Sequence, residues 1–352
     1  MNDPEQHSST VPVIVLNWNG AEDTINCIEH LLASTGVEFR VILVDNASES
    51  EDYAQLVACY GSHPRIDLRR NDRNLGFARG VNRILSELLQ VGPRRPRYAA
   101  LLNNDAFPEP DWLAALVQTA DASGAGAVAS RMLRYDKPEL LDNAGHVFLN
   151  TGEVLPRGSA ELAKDYGEMA EVQGACGGAC LLRLEMLDDI GLFDEFYSTG
   201  YEDAELGLRA WLAGYRQIYQ PAAQIRHKVG ASIDKIRDLD YAVTLQVNIH
   251  FAYFKLMPAA VIAWNLPWII LKTLGLLIVP ALTGRWRLLR VQWLALGRSL
   301  GQWQAIRVAR KGRPRPRIGY RAILRGQEFF LGRYWQYFRQ FVLGRNKTIF
   351  ER

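Results

Sequence analysis

The sequence predicts an α/β protein with a parallel sheet flanked by helices, followed by a basic helical region. Short apolar runs that end in polar clusters alternate with segments that have helical apolar spacing, which is the pattern of a parallel sheet. The charge is also divided, because residues 241–352 hold 19 of the 41 Lys and Arg but only 2 of the 38 Asp and Glu. This division predicts two regions with different partners, the basic one directed to an anionic surface.

Four apolar runs are expected to be the first strands of the sheet. Residues 11–16 end at Asn17-Trp18-Asn19-Gly20, and residues 39–44 end at Asp45-Asn46-Ala47-Ser48, with a helix expected over 21–32. A third run, 66–70, precedes a helix expected at about 77–90. Ligands bind at the carboxyl ends of the strands in such sheets, so the polar clusters are the candidate site.

The fourth run starts at Tyr98 and ends in Asn103-Asn104-Asp105, after which residues 106–111 are expected to open a helix. Asn103 and Asp105 offer the oxygen ligands that Mg²⁺ or Mn²⁺ prefers, with substrate phosphates completing the shell. The alternative is that these side chains only cap the next helix and satisfy turn amides.

Other strand ends offer acid and amide groups. Asp45 is placed to accept hydrogen bonds from a nucleoside, although a plain turn residue is the alternative. Residues 74–82 supply two glycines, which permit close backbone approach to a ligand, and Arg79, which suits a phosphate. The two commonest phosphate-binding loop motifs are absent from the sequence.

A second informative stretch covers residues 174–227. Small residues at 174–180 allow a ligand or another backbone to come close, or form a tight packing site. Glu202 and Asp203 fall in the first turn of an expected helix, where acidic residues are also favoured for electrostatic reasons alone. A short strand is expected at 217–219, and His227 follows it; a lone histidine there is more often structural than a ligand.

The ordered series of motifs resembles family 2 glycosyltransferases of the GT-A fold, and looks most like their rhamnosyltransferase-like branch. The resemblance implies a mixed, mainly parallel sheet flanked by helices. The resemblance covers roughly residues 11 to 232. The motifs that carry it are Asn17-Trp18-Asn19, Val44-Asp45-Asn46-Ala47-Ser48, Asn74-Leu75-Gly76-Phe77-Ala78, Leu102-Asn103-Asn104-Asp105, Gly178-Ala179-Cys180-Leu181, Gly191-Leu192-Phe193-Asp194-Glu195, Tyr201-Glu202-Asp203 and His227.

The resemblance implies a role for each matching residue. Asp203 would be the catalytic base, with Glu202 beside it. Asn103 and Asp105 match the family's Asp-x-Asp metal position, with Asn in place of the first Asp, and His227 would help to hold the metal or the diphosphate. The residues implied in nucleotide-sugar binding are Asn17, Asn19, Asp45, Asn74, Gly76, Phe77, Arg79 and Asn104.

The implied activity is inverting transfer of a single sugar from a nucleotide diphosphate, with dTDP-rhamnose a candidate donor, to a glycan or polyprenyl-diphosphate-linked glycan in cell-surface polysaccharide synthesis. The cofactor would be Mg²⁺ or Mn²⁺. The Gln-x-x-Arg-Trp motif of processive members is absent. The rival readings are a sugar-1-phosphate nucleotidyltransferase, which would carry a glycine-rich basic loop after its first strand, and a non-catalytic carbohydrate-binding scaffold on the membrane.

The region 241–352 is expected to associate with a membrane. Two uncharged stretches lie on either side of Lys272, but each is shorter than a simple span and prolines interrupt them, which favours a surface or re-entrant segment. The following Trp- and Arg-rich segment has the pattern of an interfacial helix on anionic lipid; its apolar positions are Trp286, Leu289, Trp293, Leu296, Leu300 and Trp303. The alternative for this segment is a helical pair packed on the catalytic domain or forming a dimer contact.

Three further expectations concern the termini, the cysteines and the location. The organisation expected is a disordered stretch at 1–10, a catalytic domain at 11–240 and the basic region at 241–352, with 310–317 as an exposed basic loop. Cys27, Cys59, Cys176 and Cys180 are expected to be small buried residues. A reducing, cytosolic location follows, on the cytoplasmic face of the plasma membrane. The acidic catalytic part argues against binding to nucleic acid.

Overall fold

The computed structural model describes residues 8–197, 200–228 and 238–337, so most of the stretch predicted to be disordered at 1–10 lies outside the described residues. The strands are β1 Val11–Asn17, β2 Phe39–Asp45, β3 Ile66–Arg70, β4 Tyr98–Leu102, β5 Ala106–Pro108, β6 Ala127–Arg134, β7 Leu141–Asn143, β8 His146–Phe148, β9 Val154–Pro156, β10 Ala170–Glu171, β11 Ala179–Arg183 and β12 Gln217–His227. The helices are α1 Ala21–Leu32, α2 Ser50–Tyr60, α3 Gly76–Leu89, α4 Trp112–Ser123, α5 Leu184–Ile190, α6 Glu202–Leu212, α7 Leu239–Leu256, α8 Ala259–Leu282, α9 Trp286–Gly301, α10 Trp303–Gly312, α11 Tyr320–Gly326 and α12 Phe330–Tyr337.

One mixed sheet organises the first 228 residues. Its main path is β10-β12-β6-β11-β4-β1-β2-β3, in which β4, β1, β2 and β3 are parallel neighbours and β11 runs antiparallel to both β4 and β6. The prediction of a mixed, mainly parallel sheet with flanking helices is confirmed. The register pairs Asn17 with Asp45, so the polar ends of β1 and β2 meet at one edge of the sheet.

Two apolar cores lie on opposite faces of this sheet. Successive side chains of a strand point to opposite faces, so Val13 and Val15 join the core under α1, α2 and α4, whereas Ile14 joins the core under α3, α5 and α6. Strands buried on both faces have continuous apolar sequences, which is why the runs at 11–16 and 39–44 were recognisable.

Two elements around the site differ from the prediction. Residues 106–108 form the short strand β5 rather than the start of a helix, and β5 pairs with β12. The strand β12 extends from Gln217 to His227 instead of ending at 219. Its pairing with β6 is interrupted by a bulge between Gln220 and Gln224 and then resumes with a shifted register. The bulge accommodates Pro221, which would otherwise break the hydrogen-bonded ladder.

The prediction that prolines interrupt the apolar stretch around Lys272 is wrong. α8 is one continuous helix of 24 residues with Pro267 and Pro280 inside it. Its apolar side chains are mostly exposed, and its inward stripe packs on the catalytic domain together with α7 and α11. Among the described residues, α8 is the one helix that is long and apolar enough to cross a membrane, by length and composition only.

The Trp-rich segment is helical, as predicted, but it forms two helices that meet at Gln302. Trp286, Trp293 and Leu300, spaced by seven residues, are 67%, 66% and 68% exposed. Residues of α9 on another face, Val291 and Ala295, pack against α7. The stripe identified in the sequence is therefore the outward face of α9.

The expected basic loop at 310–317 is partly wrong. α10 runs through Gly312, and Arg310 donates to the Phe254 carbonyl at 2.7 Å, while Arg313 donates to the Lys255 and Met257 carbonyls at 2.9 and 3.1 Å. The last carbonyls of a helix lack intrahelical partners and carry partial negative charge, so guanidinium groups stabilise the end of α7. Of the four cysteines, Cys59 is exposed, contrary to the prediction.

Candidate active site

Asp105 and His227 meet at the end of the sheet. Asp105 lies in the loop between β4 and β5, and His227 is the last residue of β12, whose pairing with β5 aligns His227 with Ala106. The Nε2 atom of His227 is 3.2 Å from Oδ1 of Asp105, and both side chains are almost fully buried. This convergence joins two residues predicted to hold a metal.

A third group, Asp142, orients the imidazole. The Nδ1 atom of His227 donates to Oδ2 of Asp142 at 2.9 Å. Burial lowers the pKa of His227, but the charges of Asp105 and Asp142 and the hydrogen bond to Asp142 outweigh it and raise the pKa to about 10. A carboxylate on the far nitrogen is a recurrent support for metal-binding histidines. Asp142 was not anticipated from the sequence, since nothing local marks it.

The donor set at this point suits a divalent cation. Nε2 of His227 is buried and makes no hydrogen bond of acceptable geometry, although Oδ1 of Asp105 is only 3.2 Å away. Adjacent ligands of an octahedral ion with bonds of about 2.1 Å lie about 3 Å apart. One carboxylate oxygen and one imidazole nitrogen therefore fit Mn²⁺ or Mg²⁺ with further ligands supplied by substrate.

Asn103, the other predicted metal ligand, is held against the small-residue loop before β11. Its backbone N–H donates to the Gly178 carbonyl at 2.8 Å. A Cβ on Gly178 would lie 3.1 Å from the Asn103 amide nitrogen, so the glycine allows this close approach. Within the described residues, no hydrogen bond joins the Asn103 side chain to Asp105 or His227.

Asp45 is fully buried at the end of β2 among polar partners. Its Oδ1 accepts from Asn17 Nδ2 at 3.0 Å, and its Oδ2 accepts from the Ser48 backbone N–H at 3.1 Å. Arg70, at the end of β3, brings Nε to 3.3 Å from Oδ2. Arg70 was missed by sequence reasoning; its signal was a basic residue at a strand end beside Asp45.

The polar ends of β1, β2 and β4 form one network. Thr24 donates to Asn17 Oδ1 at 2.8 Å and accepts from Asn104 Nδ2 at 3.0 Å, so the first and fourth strand ends are linked. Asn19 has a φ of +50°, and its backbone N–H donates to Ser48 Oγ at 2.9 Å. The structure thus brings together four of the residues predicted to bind the nucleotide sugar, namely Asn17, Asn19, Asp45 and Asn104.

The turn before α3 lies beside this network. Asn74 Oδ1 accepts from the Gly76 backbone N–H at 2.8 Å, and Gly76 has a φ of +73°, which favours glycine. Phe77 packs edge-to-face on Phe193 with ring centroids 5.7 Å apart. Arg79, predicted to meet a phosphate, lies 3.2 Å from Glu195 in a half-exposed ion pair.

Asp203 is the second residue of α6. Its Oδ2 accepts from the Gly177 backbone N–H at 2.9 Å, and its Oδ1 accepts from the Ala204 N–H at 2.7 Å. A Cβ on Gly177 would lie 3.1 Å from the Phe77 ring and 3.4 Å from Asp203 Cβ. The absence of a side chain there brings α6, α3 and the loop before β11 together around the carboxylate.

Glu202, next to Asp203, has a buried Oε2 atom with no hydrogen-bond partner. Burial, and then the charge of Asp203, raise the pKa of Glu202 to about 8. Glu202 is therefore held in its protonated form at neutral pH.

Two residues near Asp203 were not anticipated in that role. His146 Nε2 is 3.9 Å from Asp203 Oδ2, and burial lowers the pKa of His146. Candidate ligand atoms of His146, Cys176 and Asp203 lie within 4.8 Å of one another. Neither residue carries a local motif, because β8 and the loop before β11 approach α6 only in the folded chain.

A sequence profile of the glycosyl transferase family 2 matches residues 13–191, which is half of the chain. The chain belongs to glycosyl transferase family 2. Asn17, Asp45 and Asp105 lie within the matched residues, whereas Asp203 and His227 follow them.

Individual relatives of this family 2 chain match it over different shares of its length. It is 26% identical over 239 residues to the N-acetylglucosaminyl-diphospho-decaprenol L-rhamnosyltransferase of Mycobacterium tuberculosis, covering 62% of this chain and 76% of the relative. It is 33% identical over 115 residues to the succinoglycan biosynthesis protein ExoO of Rhizobium meliloti, covering 33% and 31%. It is 27% identical over 216 residues to the uncharacterized protein y4gI of Sinorhizobium fredii, covering 58% of this chain but only 23% of that protein.

Two solved structures share the fold at low sequence identity. GalNAc-T7 with UDP, GalNAc and Mn²⁺ has a TM-score of 0.56 at 14% identity, over 71% of this chain and 48% of that one. The mannosyltransferase PcManGT of Pyrobaculum calidifontis, with GDP-Man and Mn²⁺, has a TM-score of 0.52 at 18% identity, over 88% and 85%. The predicted GT-A fold is confirmed.

Proposed function

We propose that this protein is an inverting glycosyltransferase that moves one sugar from a nucleotide diphosphate to a glycan or polyprenyl-diphosphate-linked glycan. The observation that carries the proposal is that one family 2 fold holds both a site suited to a cation and a separate carboxylate suited to accept a proton. Asp105 and His227 form a point suited to a cation, and Asp203 presents a carboxylate at the start of α6. A nucleotide sugar needs the first for its diphosphate, and an acceptor hydroxyl needs the second.

Asp105 and His227 would hold Mg²⁺ or Mn²⁺, with Asn103 as a further candidate ligand. When bound, the ion neutralises charge that develops on the departing diphosphate. Asp142 keeps the His227 ring oriented through its Nδ1 hydrogen bond. Arg79 becomes a counter-charge for the diphosphate only if it leaves or shares its contact with Glu195.

Asp203 acts as the general base. An acceptor hydroxyl is a weak nucleophile at neutral pH, so its proton passes to a carboxylate as the new C–O bond forms at the anomeric carbon. The bond from that carbon to the diphosphate breaks, and its electron pair leaves with the nucleoside diphosphate. The Gly177 N–H fixes the orientation of Asp203 Oδ2 for this transfer.

Inversion is expected because one of the two carboxyl groups at this position, that of Glu202, is a poor nucleophile. A double displacement needs a second group that attacks the anomeric carbon. The pKa of Glu202, raised to about 8 by burial and by the charge of Asp203, keeps this neighbour protonated and therefore a poor nucleophile. One displacement with inversion is what this arrangement favours.

The donor base is assigned to the Asp45 network, in which Asn17, Asn19, Asn74, Gly76, Phe77 and Asn104 contribute the surrounding surface. dTDP-rhamnose is the proposed donor, and polysaccharide synthesis the proposed context, because relatives include an L-rhamnosyltransferase and a succinoglycan biosynthesis protein. The proposed location is the cytoplasmic face of the plasma membrane. The proposed organisation is a catalytic domain at 11–240 and a membrane-associating region at 241–352.

The test combines donor binding with a product assay. Thermal shifts with a panel of nucleotide sugars, with and without Mn²⁺ or Mg²⁺, should show metal-dependent stabilisation by one of them. Incubation of that donor with lipid-linked acceptors should release nucleoside diphosphate and invert the anomeric configuration. Release of pyrophosphate from a nucleoside triphosphate would instead indicate a nucleotidyltransferase, and no stabilisation by any nucleotide would favour a scaffold.

A further inference from the structure

The C-terminal helices present an extended apolar surface that the catalytic reaction does not use. On α8 the exposed side chains include Trp264, Ile278 and Leu282, and on α9 they include Trp286, Trp293 and Leu300. We call these six residues the lipid face. Single exposed apolar residues are ordinary on a protein surface, but a run of them along two packed helices marks an interaction site.

The opposite side of α8 is fastened to the catalytic domain along its length. Val261, Asn265, Lys272 and Pro280 are buried, and they span five turns of the helix. Asn265 Nδ2 donates to Tyr253 Oη at 3.1 Å and to Gln327 Oε1 at 2.9 Å. One side of α8 therefore packs on the protein, and its other, apolar side is exposed.

The buried ion pair of Lys272 bears on how α8 is oriented relative to a bilayer. It lies near the middle of the helix and forms an ion pair of 2.5 Å with Glu153, and the two side chains are 2% and 7% exposed. If α8 crossed a membrane, this pair and the segment that carries Glu153 would be drawn to the depth of the hydrocarbon, where charge is costly. This cost favours an orientation in which α8 lies parallel to the membrane surface.

Basic groups accompany the apolar side chains. Leu277 of α8 and Trp286, Leu289, Arg290 and Trp293 of α9 line one shallow groove, so a guanidinium stands at the edge of an apolar channel. Arg290 and Arg298 are exposed on the same helix, and Arg298 also forms a 2.7 Å ion pair with Asp240. Apolar side chains with arginines at their border match acyl chains beneath anionic headgroups.

We propose that the lipid face is a monotopic docking surface for anionic lipid, on which α8 lies in the plane of a single leaflet and does not cross the bilayer. This proposal rests on the membrane association proposed above for residues 241–352 and adds the contact surface and the orientation of α8. The alternative occupant, a second copy of the chain, would give a dimer in solution and little dependence on lipid charge.

Vesicle flotation with the full-length protein tests the surface. Binding to phosphatidylcholine vesicles containing phosphatidylglycerol should exceed binding to phosphatidylcholine alone and weaken with salt. The variant W286S/W293S should reduce partitioning by about tenfold or more, since each indole gives up apolar burial. Leu300→Ser on the lipid face and Leu162→Ser, exposed on the catalytic domain, are a matched pair of which only the first should weaken binding. Equal binding by all variants, or a lipid-independent dimer, would overturn the proposal.

Cysteine labelling tests the orientation. In a Cys59→Ser background, Ala259→Cys and Thr283→Cys place thiols just inside and just beyond the two ends of α8, both exposed. The protein is added to the outside of sealed vesicles, and a membrane-impermeant maleimide is then added to the same side. Both thiols should be labelled. Protection of one end until the vesicles are opened would show a crossing and overturn the proposal. Nucleotide binding without vesicles reports on the proposed function separately.

Discussion

The carboxylate of Asp203 and the backbone N–H of Gly177 are joined by a hydrogen bond of 2.9 Å that fixes the carboxylate at the start of α6. Asp203→Asn keeps one oxygen to accept this bond, but it loses the carboxylate that takes the proton and the second oxygen, which accepts from the Ala204 N–H. Transfer should fall by about 10²–10⁴-fold while nucleotide-sugar affinity is retained. Turnover and donor binding are measured on the same preparation, with Asp188→Asn, an exposed carboxylate paired with Arg95, as the matched control. Unimpaired transfer would remove Asp203 from the mechanism.

Asp142 should act on the metal through His227. Asp142→Asn removes a charged partner from Nδ1, so the ring loses its fixed orientation and part of its basicity, and Mn²⁺ affinity should fall by about 10–100-fold. The measurement is the Mn²⁺ concentration at half-maximal nucleotide-dependent thermal stabilisation. Asp136→Asn, an exposed aspartate in the preceding turn, is the control and should leave this concentration unchanged. An unchanged value for Asp142→Asn would exclude the supporting role.

Glu202 makes stability depend on pH. Its pKa is raised by burial and by Asp203 to about 8 in the folded protein, whereas the unfolded chain has the ordinary value of about 4.5. The folded state therefore binds more protons between these values, and the free energy of unfolding contributed by this group falls as pH rises from about 4.5 to 8. Glu202→Gln should be more stable than the wild type at pH 8 and similar at pH 4.5. Stability is measured by thermal unfolding at both pH values. If the stability difference between Glu202→Gln and the wild type were the same at pH 4.5 and pH 8, this assignment would be contradicted.

Much of the first half of the fold was predictable from the sequence, since buried parallel strands have unbroken apolar sequences that end in polar residues. The runs at 11–16, 39–44 and 66–70 correspond to β1, β2 and β3 within a residue. The second half of the fold was less predictable from the sequence. β12 is interrupted by a bulge around Pro221, and α8 continues through Pro267 because inward packing and polar contacts offset one lost hydrogen bond.

The site was predictable where a residue stands at the end of a strand or helix, as Asp45, Asp105 and Asp203 do. Residues that act through a neighbour were not. Asp142 reaches His227, and Arg70 reaches Asp45, only because distant segments pair in the sheet. Likewise, Arg310 and Arg313 suggested an exposed basic loop, whereas their partners are carbonyls more than fifty residues earlier.

The Lys272–Glu153 pair should be a large contributor to the attachment of α8. Lys272→Met leaves Glu153 charged and buried, with Thr151 and Tyr334 as its remaining hydrogen-bond donors, and should cost about 3–5 kcal/mol of unfolding free energy. The double variant K272M/E153Q should recover part of this loss because no buried charge remains. Lys164→Met, an exposed lysine on the catalytic domain, should change stability by about 0.5 kcal/mol or less.

The pH dependence of the same variants identifies the charge responsible. Burial raises the pKa of Glu153, but the charge and hydrogen bond of Lys272 outweigh it and leave the pKa below its usual value. The stability that this carboxylate contributes is present above its unfolded pKa of about 4.5 and is lost as pH falls through the lower folded value. The wild type should therefore lose its advantage over Lys272→Met as pH falls, first as the unpaired Glu153 of the variant takes up a proton and then as the carboxylate of the wild type does, measured by urea unfolding. A difference that persists unchanged into acid would mean that Lys272 acts through packing of its alkyl chain rather than through its charge.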